Sequence, residues 1–170
     1  MIQARKKGVT TYRDVRVLFF SQNRVFAMES TVSLDIYLLT LTDDEAAKFD
    51  RVIVERAFKD IAVDQVGDYW HLRTTFGTVS VDDEPKIRGI SVRSPPSYEH
   101  FPEFWNAMFE VLLQTHTVLI WPAGGPKPYC CLANPDMIPQ VPQDFIESFG
   151  EPEFVASGTE IDEVMERSFS

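Results

Sequence analysis

The second half of the chain has almost no positive charge. Residues 94–170 contain only Lys127 and Arg167 against 12 acids, whereas residues 1–93 carry 14 of each sign. The formal charge of -10 therefore belongs to the C-terminal half. Binding a phosphate backbone requires clustered Lys and Arg, so this scarcity argues against a nucleic acid ligand. Cysteine is equally scarce: Cys130 and Cys131 are the only two, and they are adjacent. Neighbours on a strand point to opposite faces, so a disulfide between them would be strained. Without a disulfide framework the chain suits a reducing compartment, and a cytoplasmic location is expected. No run approaches the roughly 18 apolar residues of a membrane span, so a membrane is not expected as a partner. Arg5-Lys6-Lys7 is followed by no apolar stretch, so the start does not read as a secretory signal. Internal repeats and low-complexity tracts are missing as well.

The common catalytic signatures are also lacking. There is no G-x-S-x-G, no H-E-x-x-H and no glycine-rich dinucleotide fingerprint. Zinc needs compactly spaced ligands, but His71, His100 and His116 are scattered. No metal and no cofactor is expected. Gly124-Gly125-Pro126-Lys127 has two glycines and a lysine. It leads into a strand rather than a helix and lacks the hydroxyl residue of a phosphate loop, so it reads as a connection. One enzyme arrangement stays open. If the strand after His116 pairs with the strand holding Cys130 and Cys131, a thiol and an imidazole could meet beside the loop from Pro122 to Tyr129, as cysteine chemistry requires. Carboxylates abound, but no two stand out as an acid/base couple.

What is present describes a globular core. The hydrophobic fraction is 44% and there are 13 Phe, enough for one domain of 170 residues to fold without disulfides or metal. Alternation predicts strands over Arg13–Phe20, Thr31–Leu41, Ile87–Val92, Thr117–Trp121 and Tyr129–Ala133, with a possible hairpin back over Val25–Glu29. Tyr69 to Val81 is strand-rich but changes phase near Gly77, which a bulge or hairpin turn explains. Thr42-Asp43-Asp44-Glu45 spells a capping box and predicts a helix to about Ile61, burying Ala46, Phe49, Ile53 and Ala57, with Asp44/Lys48 and Glu55/Lys59 as ion pairs. From Phe101 to Gln114 the polar residues Glu103, Asn106, Glu110 and Gln114 form one narrow stripe, which predicts a helix buried on most sides, with Trp105, Met108 and Leu112 inside. A short helix over Pro142–Phe149, stopped by Gly150, an edge strand near Phe154 and a last helix capped by Thr159 complete the chain. Interleaved helices and hairpin-like strands predict a single α+β domain with a mostly antiparallel or mixed sheet.

The closing pattern Val141-Pro142-Gln143-Asp144-Phe145, Phe149-Gly150-Glu151-Pro152 and Gly158-Thr159-Glu160-Ile161, in a compact acidic chain rich in aromatics, resembles bacterial immunity proteins, the cognate inhibitors of secreted interbacterial toxins. The resemblance implies a toxin partner, tight binding and blockade of the toxin's active site. It transfers no residue role. Cognate inhibitors oppose the basic cleft of their target with carboxylates, because complementary charge speeds docking. The acids flanking proline-rich breaks are the expected contacts: Asp82, Asp83 and Glu84 in one turn, Tyr98 and Glu99 in another. The plainer reading is that these are solvated turns that aid solubility.

Overall fold

The computed structural model describes residues 35–42, 44–73, 77–93, 101–122 and 128–169. The expected strands over 13–20 and 25–29, the first part of the 31–41 strand, Phe76, Tyr98, Glu99 and the interior of the 122–129 loop lie outside the described residues.

The centre is β1 (Asp35–Thr40), whose burial pattern leaves only Asp35 partly exposed. It pairs antiparallel with β7 (Gly89–Arg93) on one side and β8 (Thr117–Trp121) on the other. Beyond β7 follow β5 (Thr78–Val81), β4 (Tyr69–Leu72) and β3 (Ala62–Val66), and beyond β8 follow β9 (Tyr129–Leu132) and β10 (Glu153–Phe154). The order β10-β9-β8-β1-β7-β5-β4-β3 makes an eight-stranded sheet, antiparallel except for the β9–β10 pair. The phase change near Gly77 is a hairpin: β4 and β5 pair antiparallel, Gly77 adopts φ 72, and Trp70, Leu72, Val79 and Val81 are all buried in one core.

Helices α1 (Arg51–Phe58), α2 (Pro102–Gln114) and α4 (Gly158–Ser168) cover the face that carries Ile36, Leu38, Val92 and Leu119. Helix α2 is the buried one. Phe104, Trp105, Met108, Val111 and Leu112 are shut off from solvent, while Glu103, Asn106 and Gln114 stay exposed and Glu110 half-buried. Leu113 is the exception, exposed beside the polar stripe. On the opposite face, Tyr37, Leu39, Val118, Ile120, Cys130 and Leu132 pack against Met137 and against Phe145 and Phe149 of α3 (Gln143–Phe149). Covering on both sides explains why β8 is apolar at almost every position. The result is an α+β fold with one central buried helix and peripheral helices. No described helix is long and apolar enough to cross a membrane.

Two local expectations fail. No helix starts at Thr42. Residues Glu45–Ala47 form a single 3-10 turn, Phe49–Asp50 form β2, which pairs with β6 (Lys86–Ile87), and the helix begins only at Arg51. Non-local interactions override the capping signal. Glu45 is bound by Arg88 at 2.9 Å, beside a local pair with Lys48 at 3.0 Å, and Phe49 gains burial opposite Ile87. With the helix displaced, its buried residues are Val54 and Phe58. Ile53 and Ala57 are half-buried and Ala46 is exposed. The ion pairs become Lys48 with Glu45 and Arg51 with Glu55. Helix α4 is capped by Ser157, not Thr159: Ser157 Oγ accepts from the Glu160 amide at 3.2 Å, and Glu160 Oε2 accepts from the Ala156 amide at 2.8 Å. Its inward residues are Ile161, Val164 and Met165, as the spacing requires.

Candidate functional site

The chain leaves β5 at Val81 and turns through Asp82-Asp83-Glu84-Pro85 into β6. The Arg51 amide donates to Pro85 O at 2.9 Å, which hooks the turn onto the start of α1. Arg51 Nη1 donates to Asp83 Oδ1 at 2.6 Å, and Lys48 Nζ donates to Glu84 Oε2 at 3.4 Å. The cations are covered and the acids are not: the Arg51 side chain is 13% exposed and the Asp83 side chain 80%. Arg51 also lies 5.7 Å from the Trp70 ring. The Gln65 amide oxygen, oriented towards its neighbours, accepts from Arg51 Nη2 at 3.0 Å and from Trp70 Nε1 at 3.3 Å. A half-buried guanidinium thus holds the turn while its carboxylates face outward. Asp82 sits among like charges. Burial, then Asp68 and Glu84, push its carboxyl above the ordinary range, and Lys48 opposes them.

Of the expected contact residues, the structure therefore brings Asp82, Asp83 and Glu84 together on one exposed turn. Tyr98 and Glu99 lie outside the described residues. The cysteine arrangement does not assemble. Strands β8 and β9 do pair, with Ile120 opposite Cys130 and Leu119 opposite Cys131. His116, however, precedes β8 and is three residues from Leu119 and four from Ile120, roughly 10 and 13 Å along a strand. Both thiols are buried. Burial pushes Cys130 up to about 12 and Cys131 well above its usual value, the reverse of an activated thiolate. Among the described residues no three His, Cys, Asp or Glu side chains are grouped to hold a metal ion.

Two clusters escaped the sequence reading. The first is polar and lies at the start of β1. The strand register sets Asp35 opposite Arg93 and Tyr37 opposite Ser91. Asp35 is raised mainly by burial, with Arg93 and a hydrogen bond from Tyr37 pulling the other way. Tyr37 rises to about 12 through burial and the nearby Asp35 charge. The Arg93 Nε–Asp35 Oδ1 separation of 3.8 Å is an ion pair too long for a hydrogen bond. The second cluster is aromatic, at the β9 edge: Tyr129 stacks on Trp121 with centroids 6.0 Å apart, and Trp121 Nε1 donates to Ser168 Oγ at 2.9 Å. A signal for it existed. Phe169 follows a helix whose apolar stripe is already complete, so it has no core position left to fill.

The fold and surface define an α+β protein with outward-facing carboxylates. Comparison with known proteins adds no relative: no protein-family model, curated protein or solved structure matches the chain.

Proposed function

We propose that the chain is a protein-binding inhibitor, of the immunity-protein kind, that neutralises a cognate bacterial toxin in the cytoplasm by covering its basic active-site surface. One observation carries this reading. Among the described residues from Phe101 onward, 11 carboxylate side chains are offset by the single cation Arg167. The turn of Asp82, Asp83 and Glu84 adds acids whose partner cations are tucked beneath them. Such a surface attracts and orients a basic partner. The turn is the first contact proposed, because exposed ion pairs contribute only about 0–1 kcal/mol and a partner's Arg or Lys can displace Arg51 and Lys48. The test is capture from the source bacterium with the purified chain as bait. Co-expression of the captured protein with and without the chain follows. A captured protein that is toxic alone and harmless with the chain is the expected result. Finding no such protein, or toxicity unchanged by the chain, rejects the proposal.

A further inference from the structure

We infer that Tyr129 and Phe169 form the apolar anchor of a docking surface for a basic protein, at the corner where β9, β10 and the end of α4 meet. The inference rests on the protein-binding reading and gives it a second, independent contact. Tyr129 is 39% exposed and Phe169 52%. The contacts from Tyr129 to Trp121 to Ser168 bring the start of β9 to the end of α4, where Phe169 follows Ser168. Scattered exposed apolar residues need no explanation, but two aromatics on a rigid base are what interface hot spots are made of. The base here is rigid because Trp121 is fully buried.

The rim specifies the partner. Arg167 Nη2 donates to Glu153 Oε1 at 2.8 Å and feels the charges of Glu153 and Glu163. Glu160, Glu163 and Glu166 follow one another on exposed turns of α4. Glu153 and Glu163 therefore flank the guanidinium, and Glu160 and Glu166 add exposed acids on the same helix. A second copy of this chain would bring identical acidic rims together across a two-fold axis, and nucleic acid or an anionic membrane would be repelled. A basic protein surface that offers an apolar pocket or helix face to the two rings is the complementary occupant.

The probe is a synthetic amphipathic helical peptide of Leu and Lys, with a Leu/Glu analogue and oligolysine as controls, followed by amide chemical shifts and by titration. The expected result is that the Leu/Lys peptide perturbs Tyr129, Glu163, Arg167 and Phe169 most. Phe169→Ser and Tyr129→Ser should each weaken it about tenfold. Glu163→Lys should weaken it as well while leaving the helix intact, which separates a docking role from a folding defect in Tyr129→Ser. The Leu/Glu analogue should not bind, and oligolysine should not select this corner. A map centred on Asp82, Asp83 and Glu84, or unchanged affinity in Phe169→Ser and Glu163→Lys, overturns the corner and leaves the proposed function standing. No binding of the Leu/Lys peptide anywhere overturns the corner, while the proposed function still stands or falls on the capture and co-expression test.

Discussion

Asp82 and Asp83 are neighbours with opposite environments. Asp83 receives the Arg51 guanidinium, while Asp82 is raised by burial and by Asp68 and Glu84. A carboxyl whose folded pKa exceeds its unfolded value binds a proton more tightly when folded. Its contribution to stability is present below the ordinary carboxylate range and is lost as pH rises through the interval up to the folded value. Asp82 is exposed and solvent screening discounts the effect, so Asp82→Asn should stabilise the protein only slightly at neutral pH, with the gain vanishing in acid. Asp83→Asn should lose up to about 1 kcal/mol. Urea titrations of both variants at neutral and acid pH measure the contrast, and a destabilised Asp82→Asn at neutral pH contradicts it. The thiols offer a second residue-scale test. With Cys130 pushed up to about 12 and Cys131 fully buried, neither should react with an aromatic disulfide reagent at neutral pH until denaturant is added. Reaction of the folded protein within seconds would show that one of them is an accessible thiolate.

At the scale of elements, α2 is the part that holds the rest, because it packs under both α1 and α4. Leu112 is fully buried there, and Leu112→Ala should cost roughly 2–5 kcal/mol through lost contact and a residual cavity. Gly158 tests the same packing from the opposite direction. A Cβ there would sit 2.6 Å from the Asn106 amide nitrogen and 2.7 Å from the Trp105 carbonyl carbon. Both are backbone atoms that cannot swing aside, so α4 would have to lift off α2. Gly158→Ala should cost roughly 1–3 kcal/mol, and a denaturation midpoint equal to wild type would remove the close-contact argument. These elements also show what can be read from a sequence. Helix α2 declared itself because its polar stripe is narrow and periodic, and β8 because it is short and apolar throughout. The segment from Thr42 to Asp50 misled because its caps are local signals, whereas its conformation is decided by Arg88, Glu84 and Ile87, some 40 residues away. The acidic turn was legible as exposed acids. Its cations were not, since Arg51 and Lys48 reach Asp83 and Glu84 only through the fold. Tyr129 and the end of α4 are joined through Trp121 and Ser168, a connection no spacing reveals.

At the scale of the whole molecule, the charge asymmetry makes a kinetic prediction. The net charge of -10 acts at a distance, so its main effect is on encounter rather than on the lifetime of the complex. With the Debye length falling from about 10 Å at 0.1 M salt to about 3 Å at 1 M, added salt should slow association with the proposed toxin strongly and change dissociation little. Reversing the turn with Asp82→Lys, Asp83→Lys and Glu84→Lys changes the net charge by six, from -10 to -4, and should slow association further. It would also set three cations beside Arg51 and Lys48, so the variant must be shown to fold before it is compared. A charge-matched control that reverses Glu103, Glu147 and Glu151 separates the two contributions. If general steering dominates, both triple variants slow association alike. If the turn is a contact, its variant alone also speeds dissociation, since a charge lost inside an interface acts on the off-rate and a rim charge on the on-rate. Surface-plasmon resonance with the purified partner at low and high salt resolves the two rates. An association rate independent of salt, with the turn variant indistinguishable from wild type, would refute electrostatic docking and the turn as its site together.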